Sequence, residues 1–206
     1  MAGERRAPFV LGLTGDVCAG KSSVAKLLAG HGATVWDADN AVAEIYATDD
    51  MKAFVREKFG AGVFAASGEV NRRALGQAVF ADPAKLKSLT EAVFERTGPR
   101  IEAAIQAAAK AGAGVLVLDA PTLFESGRAS RCDAVCYVAA PAEWKEQRAV
   151  QERGWPAGEV ALRESRLMDR QVKLAQCRFV INNGDSWANL EKQVAGMWRE
   201  CTHGKT

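Results

Sequence analysis

The stretch Gly15-Asp16-Val17-Cys18-Ala19-Gly20-Lys21-Ser22 fits the pattern G-x-x-x-x-G-K-[ST], a glycine-rich loop that ends in lysine and serine. An apolar run at residues 9–13 precedes it, and residues 23–28 continue with a helical pattern. Between a strand and a helix this pattern binds nucleotide phosphates, because backbone N–H groups and the helix N-terminus point at the anion. The octet therefore predicts a nucleotide site rather than a plain turn.

The loop positions have different expected roles. Lys21 is expected to reach the β- and γ-phosphates of the nucleotide, and the Ser22 hydroxyl to bind Mg²⁺. Cys18 is interpreted as a small filler of the loop rather than a nucleophile. The loop residues expected to bind ATP are Gly15, Cys18, Ala19, Gly20, Lys21, Ser22 and Ser23.

Composition indicates a single soluble domain. The 206 residues are 48% apolar and 25% charged, as in an ordinary packed protein. A net charge of +2 without a long basic block does not favour a nucleic-acid partner. No apolar run is long enough to span a membrane, and the first is too short for a signal peptide. Five scattered cysteines fit no zinc or redox spacing and suit a reducing compartment, so we expect a cytoplasmic protein.

Strands and helices alternate along the chain. After the first strand, the sequence predicts strands at residues 35–36, 115–119, 134–138 and 179–181. The run at 115–119 is apolar throughout, which is typical of a strand buried on both faces of a parallel sheet. Helical patterns fill the intervals, and one helix is expected to begin at Pro83, after Asp82 as its N-cap. Trp187 and Trp198 of the last helix are expected in the core. The pattern predicts an α/β fold, a three-layer parallel sheet with helices on both faces.

Two acidic residues, Asp37 and Asp39, follow the second strand. Their side chains project to the same side if the strand conformation continues. Ligands collect at the carboxyl ends of parallel strands, where a carboxylate can take a proton from a hydroxyl or hold Mg²⁺ through water. For Asp37, helix cap and functional role stay equally open, whereas for Asp39 we favour a functional role.

Asp119 ends the buried strand and is similar to the acid that assists Mg²⁺ in phosphate-loop enzymes. Ser22 and Asp119 are therefore the candidate metal ligands. Ala120 follows, where helicase-type and rotary ATPases more often have a second acid. ATP hydrolysis as the main task is accordingly less favoured.

Basic side chains are concentrated between residues 148 and 173. Arg163, Arg166 and Arg170 have the spacing of one helix face. Guanidinium groups stabilise charge on a transferring phosphoryl group best under a lid that excludes water. A solvated helix face paired with nearby acids explains this trio equally well, whereas for Arg148 we favour a functional role.

Taken together, these segments resemble the dephospho-coenzyme A kinase family. The aspartate pair, the D-x-P-x-L-x-E stretch and the terminal N-N-G are more particular to this family than the phosphate loop. The resemblance spans the chain in the family's order. It is carried by residues 12–22, 37–39, 119–125, Arg148 with 153–155, and 180–184.

The resemblance implies an ATP-dependent phosphotransferase with an alcohol group as acceptor. The γ-phosphate of ATP would pass to the ribose 3′-hydroxyl of dephospho-coenzyme A, giving coenzyme A and ADP, with Mg²⁺ as cofactor. Asp39 would be the base, and Lys21 and Arg148 would act with it in catalysis, with Arg148 also against the bound ATP.

The resemblance further implies one phosphate-loop kinase domain in three parts. The core would comprise residues of about 8–40, 113–150 and 176–206. A helical acceptor region would span about 41–112, and a lid about 151–175.

Several residues depart from the family's usual pattern. In the loop, Asp16, Cys18 and Ala19 replace glycine, glycine and serine. Small GTPases of the Rab type also carry an aspartate at the place of Asp16, with its side chain turned away from the phosphates. The other departures are Ala43 for a basic residue, Phe94-Glu95 for a His-Pro pair, and Leu167 for a glutamine.

Two alternatives remain open beside this function. One is another small-molecule or nucleoside monophosphate kinase. The other is a non-catalytic nucleotide-binding relic of the fold. A GTPase and a transporter ATPase are disfavoured, because the chain has neither an N-K-x-D nor an L-S-G-G-Q motif.

Overall fold

A five-stranded parallel sheet forms the centre of the fold, with strand order β2-β3-β1-β4-β5. The computed structural model describes residues 7–80 and 82–203. All five strands form where the apolar runs predicted them. They are β1 (Phe9–Gly15), β2 (Thr34–Asp37), β3 (Val115–Asp119), β4 (Ala134–Ala139) and β5 (Phe179–Asn182).

Burial follows the position of each strand in the sheet. The central β1 is buried along its whole length, as is β4. β2 and β5, at the two edges, keep residues in contact with solvent. This is the pattern of a parallel sheet whose faces are covered by crossover helices, and it confirms the predicted fold class.

Nine α-helices are described between residues 21 and 203. The longest, α5, begins at the predicted boundary: Pro83 is its first residue, and the Asp82 carboxylate accepts hydrogen bonds from the N–H groups of Ala84 (3.0 Å) and Lys85 (3.2 Å). The helices are α1 (Lys21–Gly30), α2 (Ala38–Ala47), α3 (Asp49–Phe59), α4 (Arg72–Phe80), α5 (Pro83–Ala111), α6 (Ala142–Arg153), α7 (Glu159–Glu164), α8 (Arg170–Leu174) and α9 (Trp187–His203).

α1 and α9 contribute to the same hydrophobic core as the sheet, through residues such as Leu28 and Val194. Trp198 packs against this core and its ring stacks on His31, with ring centroids 5.7 Å apart. The expectation that Trp187 is a core residue is wrong, since 52% of it is exposed. Its indole N–H donates to Glu191 along the helix surface.

The chain divides into two compact units. The sheet unit comprises the residues up to Asp37 and those from Ala104 onward, and the helical unit comprises Ala38–Ala103. The helical unit has a hydrophobic core of its own. Its buried members are Ile45, Met51, Val55, Val63, Leu75, Val79 and Leu89.

Among the helices of the described ranges, none combines the length and the apolarity that a membrane span requires.

Candidate active site

The phosphate loop begins where β1 meets β4. A Cβ atom at Gly15 would collide with the backbone carbonyl oxygen of Val138, so this close approach requires glycine. Gly20 is the N-cap of α1 with φ 83° and ψ 33°, a left-handed conformation that glycine adopts without a Cβ penalty. The octet therefore turns sharply into α1, whose N-terminal N–H groups are available to an anion.

Two side chains hold the carbonyl groups of the loop. Arg148 donates from Nη1 to the Cys18 carbonyl (3.3 Å) and from Nη2 to the Asn183 carbonyl (3.2 Å). The Asn183 amide donates to the Ala19 carbonyl at 2.8 Å. Because C=O and N–H point in opposite directions across a trans peptide, the Gly20 N–H points away from Asn183. Asn183 belongs to the N-N-G motif, but the sequence did not predict that it contacts the loop.

Cys18 has a positive φ of 58°, unusual for a residue other than glycine. Its side chain packs with Ala149 and Val160 in a small hydrophobic cluster. Burial raises the pKa of the Cys18 thiol, although nearby arginines, Arg153 first, act in the opposite direction. The thiol therefore stays protonated near neutral pH, in agreement with its interpretation as a filler.

Lys21 forms an ion pair with Asp119, with Nζ and Oδ1 2.5 Å apart and both side chains largely buried. Asp119 ends β3 and is in register with Asp37, the last residue of β2. The loop lysine and two strand-end carboxylates thus lie at the same edge of the sheet.

Asp37 and Asp39 do not lie on a continuing strand. β2 ends at Asp37, and α2 begins at Ala38, so Asp39 occupies the first turn of a helix. The prediction that both carboxylates project to one side required the strand to continue through Asp39, so it does not apply. A carboxylate in the first turn of a helix is stabilised by the helix dipole.

The carboxylate of Asp16 points at the end of β4 and at α8, and its side chain is 2% exposed. It accepts hydrogen bonds from the Tyr137 hydroxyl (2.5 Å), the Ala140 N–H (3.4 Å) and Arg170 Nε (3.0 Å). Burial and the hydrogen bond to Asp16 raise the pKa of the Tyr137 hydroxyl, so it remains a donor. The negative charge in the loop is therefore balanced by protein groups.

Arg163, Arg166 and Arg170 do not share one helix face, and that prediction is wrong. α7 ends at Glu164 and α8 begins only at Arg170. The helix is interrupted because the Asp169 carboxylate caps α8, accepting from the Gln171 and Val172 N–H groups.

The arginines instead have separate partners. Arg163 pairs with Glu159 at 2.8 Å, as the solvated-face alternative expected, and its guanidinium lies 3.9 Å from the centre of the Trp155 ring. Arg170 pairs with Asp16. The trio therefore does not form a single basic surface.

Two further contacts of the 151–175 segment escaped the sequence analysis. Glu164 accepts from the Val17 N–H (3.1 Å) and pairs with Lys145 (2.7 Å). Lys173, itself 2% exposed, pairs with Glu125 at 2.6 Å. Val17 and Glu164 are 147 positions apart, so no local spacing could have signalled their contact.

The described residues hold no group of three or more histidine, cysteine or acidic side chains that could bind a metal alone. Mg²⁺ bound with a nucleotide needs few protein ligands, because phosphate and water oxygens complete its shell. The Ser22 hydroxyl and the Asp119 carboxylate are oxygen donors of the kind it prefers, so these residues fit such an ion.

Comparison with known proteins identifies the family of the chain. The model of the dephospho-CoA kinase family matches residues 9–189. The chain belongs to the dephospho-CoA kinase family. It is therefore a phosphotransferase that acts on an alcohol group, and the family implies ATP as its substrate.

Individual members of the family align along nearly the whole chain. A dephospho-CoA kinase of Streptomyces avermitilis is 37% identical over 94% of this chain and 94% of its own length. That of Thermobifida fusca is 36% identical over 92% of this chain and 94% of its own. A crystal structure of a Thermus thermophilus protein superposes with a TM-score of 0.81 at 30% identity, covering 95% of this chain and 98% of that one.

Proposed function

We propose that the chain transfers the γ-phosphate of ATP to the ribose 3′-hydroxyl of dephospho-CoA. Beside the family assignment, the observation that carries this proposal is the Lys21–Asp119 contact at the start of α1. It puts a phosphate-binding cation and a carboxylate suited to Mg²⁺ at the loop that receives the triphosphate.

In this proposal, ATP phosphates occupy the loop at the N–H groups of residues 18–23. Arg148, which already holds the loop carbonyl of Cys18, lies against the nucleotide and supplies positive charge. Mg²⁺, bound by Ser22 and Asp119, would neutralise charge on the β- and γ-phosphates. Lys21 stabilises the negative charge that shifts during transfer.

Asp39 is proposed as the base. The acceptor oxygen bonds to the γ-phosphorus as the bond to the β-phosphate oxygen breaks, and the hydroxyl proton passes to the Asp39 carboxylate. ADP leaves with the bridging oxygen. The position of Asp39 in the first turn of α2, two residues after a strand end, supports the role, as does its match to the family's aspartate pair.

Residues 41–112 are proposed to hold the acceptor, and residues 151–175 to act as the lid that keeps water from the transferring phosphoryl group. The 151–175 segment meets the phosphate loop through Arg170 and Glu164, which supports the second assignment. We also propose that the enzyme works in the cytoplasm, in agreement with its free cysteines.

A coupled assay of ADP release tests the acceptor. Purified protein with Mg-ATP is supplied in turn with dephospho-CoA, adenosine, shikimate and nucleoside monophosphates. We expect ADP only with dephospho-CoA, and a product phosphorylated at the 3′-position by mass spectrometry and NMR. Preference for another acceptor would reject the assignment, and no transfer to any of them would favour a nucleotide-binding relic.

An Asp39→Asn variant tests the base. Turnover should fall about a hundredfold or more, because an amide cannot take the proton, while the Kd for ATP by calorimetry stays within about threefold of the parent protein. Asp49→Asn is the matched control, since Asp49 is an exposed acid in the first turn of α3. Equal turnover in the Asp39 variant and the control would remove Asp39 from this role.

A further inference from the structure

The second position of the phosphate loop is connected directly to the 151–175 segment. Asp16 Oδ1 lies 3.0 Å from Arg170 Nε, at the start of α8. Beside it, the Val17 N–H donates to Glu164, at the end of α7. Two consecutive loop residues therefore contact the two ends of the turn that joins α7 to α8.

The charged side chains around these contacts pair with one another. Asp16 Oδ2 is 3.9 Å from Lys145 Nζ, and Lys145 also pairs with Glu164 at 2.7 Å. Two carboxylates thus face two cations, and the Tyr137 hydroxyl donates to Asp16 as well. A carboxylate this deeply buried needs such partners, because removing one leaves a charge uncompensated.

The partners of Asp16 differ in how deeply they are buried. Tyr137 and Lys145 are buried on β4 and α6, whereas the Arg170 side chain is 48% exposed. The buried groups hold the Asp16 carboxylate in one place, and Arg170 connects the 151–175 segment to it. Asp16 thus has a fixed position, and Arg170 is the residue through which the 151–175 segment binds to it.

The turn between the two contacts borders a cavity of about 400 Å³ beside the loop. Leu167 and Met168 from this turn line the cavity together with Gly15 and Tyr137. Any change in how the turn is anchored therefore alters a wall of the space next to the phosphate loop.

We propose that Asp16 and Arg170 are a positioning pair that fixes the 151–175 segment on the phosphate loop. The pair acts through the position of the segment and not by touching substrate. The kinetic consequence rests on the proposed function, whereas the structural consequence does not.

Limited proteolysis measures the anchoring without any catalysis. Chymotrypsin cleaves after Leu167 and Met168 when the turn opens, and mass spectrometry identifies these cuts. Cleavage of a transiently opened segment follows the population of the open form. Arg170→Gln and Asp16→Asn should each speed these cuts about tenfold, within the range of coupling for contacting charges.

The double variant Asp16→Asn/Arg170→Gln tests whether the two residues act as a pair. If the two side chains act through each other, its cleavage rate should match that of the single variants rather than the product of their effects. Arg170→Lys retains the charge and should restore at least half of the protection. Thermal unfolding of each variant verifies that the protein is folded during the assay.

Glu159→Gln is the matched control, because it breaks the Glu159–Arg163 ion pair within α7 and leaves the loop contacts in place. It should leave the cuts at Leu167 and Met168 unchanged. Cleavage of Arg170→Gln at the control rate, or single effects that multiply in the double variant, would overturn the positioning pair.

Steady-state kinetics with ATP and dephospho-CoA complete the test. Arg170→Gln should lower kcat about fivefold to tenfold with KM for ATP within about twofold, because the loop itself still binds the triphosphate. If the protein does not phosphorylate dephospho-CoA, the proposed function fails and the proteolysis still decides on the pair. Faster cleavage with unchanged kcat would overturn the link to catalysis.

Discussion

Charged side chains are paired in both units, and the pairs around the phosphate loop are buried more deeply than those of the helical unit. In the sheet unit, Lys173 is 2% exposed and its partner Glu125 is 21% exposed. In the helical unit, Arg100 is 33% exposed and its partner Glu44 is 71% exposed. A charge taken out of water depends on its partner, whereas a solvated one does not. The same kind of contact therefore fixes geometry around the phosphate loop and contributes little among the helices of the helical unit.

Glycines show the same contrast. At Gly15 and Gly20, an added Cβ would collide with Val138 and Asn183, respectively. At four glycines of the helical unit, Gly60, Gly62, Gly68 and Gly98, an added Cβ meets nothing within 4 Å. An added side chain should thus be costly at Gly15 and Gly20. It should be tolerated at Gly62 and Gly98, whereas Gly60 and Gly68 have a positive φ that favours glycine.

The largest expected effect is at Lys21. Lys21→Ala should lower kcat/KM about a thousandfold, because one preorganised cation at the transferring phosphate is lost, and it also removes the partner of Asp119. The ADP-coupled assay measures this loss. The control is Lys26→Ala, which replaces an exposed lysine on the same helix and should behave like the parent protein. A loss of kcat/KM below about tenfold in Lys21→Ala would contradict the role of Lys21.

Lys173→Met tests the buried pair itself. Among the described residues, Glu125 without the ammonium group keeps only the Met168 N–H at Oε1, and its Oε2 already has no hydrogen-bond partner there. Urea unfolding should show a loss of about 3 kcal/mol. A loss below about 0.5 kcal/mol would mean that burial does not distinguish this pair from the exposed ones.

Gly15→Ala tests the close approach of β1 and β4. The new methyl group would force β1 away from the Val138 carbonyl, so the free energy of unfolding should fall by about 2 kcal/mol. Gly196→Ala is the control, since Gly196 lies inside α9 with nothing within 4 Å of the added atom. That change should stabilise the protein by about 0.5–1 kcal/mol, and equal effects at both sites would contradict the comparison.

The smallest expected effect is in the helical unit. Arg100→Gln, which breaks the exposed pair with Glu44, should change the free energy of unfolding by less than about 0.5 kcal/mol. The change should shrink further in 1 M salt, because added ions screen solvated charges. A loss comparable to that of Lys173→Met would refute the contrast between the units.

Much of the fold follows from local sequence. Continuous apolar runs identified the strands, and Asp82 with Pro83 identified the start of α5, because burial of both sheet faces and helix capping each leave a local signature. Asp169 was a local signal for the break between α7 and α8. The helical spacing of the three arginines nevertheless predicted one continuous helix. Trp187 was misplaced because helical spacing alone does not say where the buried face of a helix ends.

The candidate site was predictable only in part. The octet and Asp119 were found because their chemistry has a fixed spacing or strand-end position. The partners of Asp16 were not, since Tyr137 and Arg170 lie 121 and 154 positions away along the chain. Contacts of this kind depend on how strands and crossover helices are arranged, which no local pattern encodes.

The indole of Trp155 gives the protein an internal optical probe. Its ring lies beneath the Arg163 guanidinium and packs in the cluster that contains Val17 and Cys18 of the loop. Indole fluorescence is sensitive to nearby charge and to solvent, so the emission of Trp155 reports on changes in the phosphate loop. The chain has four other tryptophans, so a variant that keeps only Trp155 isolates this signal.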